Sequence, residues 1–281
     1  MPRRIALAVL TAALLAVAPA SAPAETPPPA LGADALWVWS WDDPDELGDY
    51  AVANGFDRLY LYSEGFGPRV ETAIGTLAGR GLAVEALGGE KRWATDHRDG
   101  MLEFVAEARD YQRSAPPAER LAGIHVDVEP YGLKAWKRDE RGTALSLVRS
   151  LRAARRAAGP LPFAADVPFW FDGIRLGGGR GSLAAAAIAA TDAVTLMAYR
   201  DTGPAVIDVA RAEVRLAGRV GERATVGVET GEVRPEQVTF AEEGRAALIV
   251  AIAAVRTAFD GDPGFGGIAI HHYGSISELG P

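Results

Sequence analysis

The residues whose types and spacing suit chemistry stand in one short run, Gly123-Ile124-His125-Val126-Asp127-Val128-Glu129. In an extended strand, residues two apart share a face. Ile124, Val126 and Val128 then pack outward, and His125, Asp127 and Glu129 point inward together. Burying three ionisable side chains in a row is costly unless they are paired or functional. A neighbouring carboxylate raises the pKa of a carboxylic acid by like-charge repulsion. Asp127 beside Glu129 therefore offers an acid that stays protonated near neutral pH, as cleavage of a glycosidic bond requires. The competing reading is a buried polar network tied to arginine or to backbone.

Such a strand needs a scaffold, and the chain supplies a repeating one. Eight β-type runs alternate with helical stretches: 35–41, 57–65, 82–90, 123–131, 162–170, 193–201, 224–232 and 267–275. Asp43-Pro44 starts one helix as a cap before proline. Helices are expected over 135–158, ended by Gly159-Pro160, and over 235–259, closed by Gly261 and Pro263. Strand–helix alternation implies parallel strands and right-handed crossovers. Eight units in about 240 residues fit a closed (β/α)₈ TIM barrel, an α/β single domain. Its last helix is short or missing, because only 276–281 follow the eighth run. A doubly wound sheet would want a glycine-rich loop after its first strand, where Ser40-Trp41-Asp42-Asp43 stands instead.

In a parallel barrel the site forms where strands end and loops begin. Glu129 and Asp127 are the expected catalytic pair, and Glu229 in Gly227-Val228-Glu229-Thr230 is a second glutamate at a strand end. Expected substrate contacts are Trp41, Glu64, His125, Asp166, Trp170, His272 and Tyr273. Trp37, Trp39 and Trp41 alternate on the first strand, and Trp41 is the one placed to stack on a sugar ring.

Leu121 to Glu129 resembles the signature strand of family 18 glycoside hydrolases, the chitinase family. Leu121, Gly123, Ile124, Val126, Asp127 and Glu129 match it, whereas Ala122 and His125 replace acidic or amide residues. The resemblance implies Glu129 as general acid/base, and Asp127 as the group that positions a substrate acetamide and tunes Glu129. His125 interrupts the proton relay below Asp127, although an imidazole can accept a hydrogen bond there. Met197-Ala198-Tyr199-Arg200-Asp201 resembles the family's Met-x-Tyr-Asp strand with Arg200 inserted. Where the family often ends the eighth strand with Trp, this chain has His271-His272-Tyr273. Glutamates ending the fourth and seventh strands, and Glu129-Pro130, also resemble the large retaining-glycosidase clan. That clan's two carboxyls lie about 5–5.5 Å apart and one attacks the sugar. These resemblances imply Glu229 as nucleophile or substrate ligand, Tyr199 as a further catalytic group, and Met197 and Asp201 as further substrate contacts.

Two other classes compete. His125, Asp127, Glu129, Asp166, His271 and His272 offer nitrogen and oxygen donors for a metal-dependent hydrolase. The first strand, however, has Trp-Val-Trp where barrel amidohydrolases carry His-x-His, and neighbouring His271 and His272 point to opposite faces of a regular strand. No metal or cofactor is therefore expected. A barrel that binds carbohydrate without cleaving it is the second competitor, since fold alone does not settle activity.

The 281 residues are 48 % hydrophobic and 23 % charged, enough for a sizeable core. Arg3-Arg4, an apolar run over 5–17 and Ala20-Ser21-Ala22 read as a signal peptide over 1–24. A Pro-rich leader follows over 25–33, and the barrel domain over 34–281. Cleavage removes two arginines and no acid, taking the net charge from −8 to −10. Such a surface repels phosphate backbones, so the expected partner is a carbohydrate and not nucleic acid. No cysteine is present, so the fold must stand without disulfides. A monomer, secreted or periplasmic and free of the membrane after cleavage, is expected.

Overall fold

The computed structural model describes residues 30–280. The expected signal peptide and residues 25–29 of the leader lie outside them. Eight strands form a closed parallel barrel in chain order. They are β1 (Ala35–Val38), β2 (Arg58–Tyr62), β3 (Ala83–Gly88), β4 (Gly123–Val126), β5 (Phe163–Pro168), β6 (Ala193–Met197), β7 (Arg223–Glu229) and β8 (Phe265–His271). The helices are α1 (Pro44–Ala53), α2 (Pro68–Gly79), α3 (Arg98–Ser114), α4 (Lys134–Arg138), α5 (Glu140–Ala158), α6 (Leu183–Ile188), α7 (Gly203–Val220), α8 (Gly244–Phe259) and α9 (Tyr273–Glu278). The six-residue α9 is the short last helix.

Strand parity sorts the core into two zones. Leu36, Val38, Leu59, Leu61, Ile124 and Val126 pack outward among the helices. Trp37, Tyr60, Leu87 and Ala269 fill the barrel instead, with Trp39 and Tyr62 above them. Barrel interiors are usually branched and apolar, but here Glu85, His125, Asp166 and Thr195 are buried too. Gly227 makes room for the Trp37 indole: a Cβ there would lie 2.8 Å from the Trp37 ring. Closure between β8 and β1 rests on Asp34, whose side chain accepts from the Ile268 amide at 2.7 Å and pairs with Arg256 at 2.7 Å.

Several boundaries differ from expectation. The strands are shorter than the runs, so Glu64, Asp127, Glu129 and Asp201 lie beyond them, while Asp166 and Glu229 stay within β5 and β7. β4 stops at Val126, yet the Asp127 amide still donates to the Gly88 carbonyl at 2.9 Å, so pairing guides the loop out of the sheet. The 135–158 helix breaks at Asp139, which caps α5 by accepting from the Gly142 amide. The 235–259 helix begins only at Gly244. Before it, Thr239 donates to the Gly231 carbonyl and the Phe240 amide donates to the Glu229 carbonyl, while the Phe240 ring is fully buried. These ties hold the segment against β7 despite its helical periodicity. Leu31 and Ala33, assigned to the leader, are buried in the core.

Candidate active site

The barrel interior holds a chain of alternating charges. Arg58 on β2 bonds Glu85 on β3. The other Glu85 oxygen lies 3.0 Å from His125 Nδ1, and His125 Nε2 lies 2.8 Å from Asp166 Oδ1 on β5. Asp166 Oδ2 accepts from the Trp37 indole at 3.1 Å. Only a doubly protonated imidazole donates to both carboxylates. Burial alone would lower the His125 pKa, but Asp166 and then Glu85 outweigh it and push it up to about 10. For Glu85, burial raises the pKa, yet His125 and Arg58 together hold it below its ordinary value. The Tyr60 ring lies against the cation, centroids 3.9 Å apart. Tyr60 in turn shares a hydrogen bond with Thr195. Two cations and two anions thus balance inside the barrel.

Above this layer, Asp127 and Glu129 leave β4 half-buried at the mouth. Burial, then Asp166 and Glu129, raise the Asp127 carboxyl well above its usual range, against the opposing pull of His125. Among the described residues it has no hydrogen-bond partner. Glu129 accepts from the Tyr131 hydroxyl, presented by the turn that Pro130 opens. The Tyr131 phenol is itself raised by burial and by Glu129. The Tyr199 hydroxyl, just past β6, is buried and also unpartnered among the described residues. Burial and the charges of Glu229, Asp166, Asp127 and Glu129 raise it well above the ordinary phenol range.

Glu229 is held differently. One oxygen accepts from the Thr230 and Gly231 amides at 2.8 and 2.7 Å, and the other from His271 Nδ1 at 2.8 Å. His271 Nε2 accepts from the Trp39 indole at 2.9 Å. That pattern assigns a neutral His271 with its proton on Nδ1. Three donors and near-complete burial leave Glu229 without a free face to attack a sugar.

The structure brings Asp127, Glu129 and Tyr199 together, and it corrects other expectations. His125 and Asp166 are enclosed and bonded to each other, so neither reaches a substrate, and His125 donates hydrogen bonds where it was expected to accept one. His272 does not lie on a face opposite His271. Their ring centroids are 5.0 Å apart, and the His272 ring accepts from the Ser275 amide as the cap of α9. Tyr273 packs on Tyr50 of α1. Both nitrogens of His125 and of His271 are engaged, and among the described residues no three candidate side chains are grouped to hold a metal ion.

Trp170 presents an indole 37 % exposed, braced by Tyr131, Trp136 and Phe171 at centroid distances of 4.9 to 6.2 Å. Trp41 and Glu64 line a cleft of about 430 Å³ with Trp39, Tyr62 and Arg69. One face of Trp41 is covered there by the Arg69 guanidinium, 4.4 Å away. Glu129 lies outside the walls of that cleft. Met197 ends β6 half-buried, and Asp201 is half-buried just before α7.

Sequence reasoning missed Tyr131, whose signal is a phenol two residues beyond the acid across a proline turn. It also missed the Trp39–His271–Glu229 chain, which joins strands far apart in sequence.

No family model matches the sequence, and no curated protein matches it either. Solved structures do match. A GH18 chitinase from Pseudoalteromonas aurantia aligns with a TM-score of 0.55 at 13% identity, over 86% of this chain and 94% of that one. The glycoside hydrolase domain of PelA from Pseudomonas aeruginosa aligns with a TM-score of 0.52 at 14% identity, over 88% and 97%. A D-psicose 3-epimerase from Clostridium cellulolyticum H10 reaches a TM-score of 0.52 at 12% identity, over 85% and 84%. The likeness is one of fold. The chain shares the TIM barrel of GH18 chitinases and other glycoside hydrolases, and an epimerase shares it equally well.

Proposed function

We propose that this protein is a secreted or periplasmic glycoside hydrolase in which Glu129 protonates the departing glycosidic oxygen. The observation that carries the reading is the unsatisfied polar set at the barrel mouth. Asp127, half-buried and raised, has no hydrogen-bond partner among the described residues beside Glu129, and the fully enclosed Tyr199 hydroxyl is orphaned near both. Buried polar groups without partners cost free energy. A sugar carrying hydroxyl and acetamide groups would satisfy them. The glycoside hydrolases among the barrels of similar shape support the same class.

The Asp127–Glu129 pair shares a proton that leaves on the aglycone oxygen as the glycosidic bond breaks. The substrate's own acetamide oxygen forms the new bond to the anomeric carbon, with its N–H directed at Asp127. Water then opens the cyclic intermediate, giving its proton to Glu129. Substrate assistance is favoured over attack by Glu229, because that carboxylate is already bonded to three donors. Tyr199 bonds the acetamide oxygen in this scheme, which its unpartnered hydroxyl supports.

Digestion of a glycan panel by wild type and Glu129→Gln in parallel tests this. Loss of about 100-fold or more in rate is expected, with turnover confined to N-acetylated substrates. Unchanged turnover in the variant would remove Glu129 from the mechanism. The Tyr131 hydrogen bond that already occupies Glu129 favours a second reading, a barrel that binds glycan without cleaving it. Under that reading both proteins bind the same glycan and neither digests it.

A further inference from the structure

The chain has 37 acidic and 29 basic side chains, yet the basic ones are unevenly placed. Two adjoining clefts, of about 440 and 340 Å³, lie between α5 and α6 and share Arg152 and Ala189. Their walls carry Arg149, Arg152, Arg155, Arg156 and Arg180, and a single acid, Asp192. All five arginines are exposed. Arg155 is neutralised by Asp192, with Glu222 at 4.0 Å. Among the described residues the other four have no carboxylate within ion-pair distance.

Arg149, Arg152 and Arg156 recur at three- and four-residue spacing, so they share one face of α5. Like charges at that spacing repel and weaken a helix. The helix dipole accounts for Arg155 and Arg156, which stand in the last turn. It does not account for Arg149 or Arg152, nor for Arg180, which arrives from the loop before α6. Charges that repel, gathered from two segments with one acid between them, call for a counter-ion from outside the chain.

The floor narrows its chemistry. Leu145, Val148 and Leu176 lie beneath the guanidinium rim. An apolar floor under forked donors suits the C–H face of a sugar ring whose carboxylate reaches an arginine. A planar lipid surface would need exposed apolar side chains to enter it, and this face is concave with its apolar residues recessed.

We propose that the α5–α6 face binds an acidic polysaccharide, a glycan whose sugars carry carboxylates. The site is separate from the cluster around Glu129 and independent of whether Glu129 hydrolyses anything. Retention on immobilised polygalacturonate tests it, with phosphatidylglycerol vesicles as the second arm. Wild type is expected to be held at low salt despite its net negative charge. It should be released near 0.15 M salt, where screening acts beyond about 8 Å. The combined variant Arg149→Ala, Arg152→Ala, Arg180→Ala is expected to bind about tenfold more weakly or worse, with an unchanged or higher Tm, since the substitutions relieve repulsion at the surface. Failure of wild type to bind polygalacturonate, equal retention of the variant, or stronger binding to the vesicles would each overturn the proposal.

Discussion

His125 makes stability depend on pH, and the raised Asp127 carboxyl adds a slope of the same sign wherever its own titration falls. Its imidazole moves from an ordinary 6.5 to about 10 in the folded protein. A raised value means that the fold holds the proton more tightly than the unfolded chain does. The contribution is therefore complete below about pH 6.5 and is lost as pH climbs through about 10. Between those limits the folded state binds one extra proton, and stability falls by about 1.4 kcal/mol per pH unit. From pH 7.5 to 9.5 the loss is about 3 kcal/mol, a large share of the 5–15 kcal/mol typical of a domain. Glu213, raised by burial to about 7, has largely finished titrating below this window, and so has His272, whose pKa is lowered. The buried tyrosines enter only as unfolded phenols ionise near pH 10. Urea unfolding at five pH values reads the slope directly. His125→Asn should reduce it, and should destabilise the fold by about 3–5 kcal/mol at pH 7 by leaving the buried Asp166 without its cation and Glu85 with Arg58 alone. Should that variant not fold, Asp166→Asn removes one of the two partners and should reduce the slope. A flat wild-type profile would refute the imidazolium between Glu85 and Asp166.

Two further perturbations address the mouth. Tyr131→Phe removes a donor to Glu129, and a hydrogen bond to a charged group is worth about 1.5–3 kcal/mol. The alkaline limb of kcat/KM should move up by about one to two pH units with kcat at the optimum little changed, and an unmoved limb would show that the phenol does not act on the acid. Trp170→Ala should weaken glycan binding about two- to tenfold, the worth of one stacking contact, measured by titration of the Glu129→Gln protein with and without the tryptophan. Equal affinities would remove Trp170 from the sugar site.

The barrel was legible because each unit declares itself locally, through period-two runs and periodic helices with caps such as Asp43-Pro44. The inward side of β4 was legible for the same reason, since Ile124 and Val126 fix the parity of His125. What surrounds His125 was not. Arg58, Glu85 and Asp166 come from three other strands, and Glu85 and Asp166 lie 40 and 41 residues away. Local pattern carries no information about which polar residues meet across a barrel. Glu229 shows the same limit. A glutamate at a strand end reads as a nucleophile, but the amides of its own loop and the imidazole across β8 have taken its oxygens. The late start of α8 fails for another reason, because tertiary anchoring of Phe240 and Thr239 overrides the helical periodicity that begins at Pro235.

His125 changes what the strand-end acids can do. In the sequence pattern that this strand resembles, an acidic or amide residue lies below the positioning aspartate. Here a cation lies below it, and Glu85 and Asp166 already bond both of its nitrogens. The lower layer is closed, with Arg58 and His125 balancing Glu85 and Asp166 and no donor left pointing upward. Burial, then Asp166 and Glu129, raise Asp127 against the pull of the His125 cation, and nothing bonds it from beneath. Its proton has two places to go, sideways to Glu129 or upward to whatever enters the mouth. The Tyr199 hydroxyl is in the same position, buried among four carboxylates and bonded to none. Of the two, only the Tyr199 hydroxyl is fully enclosed, and under the proposed function the cation at His125 would leave the Asp127–Glu129 pair to act toward the mouth.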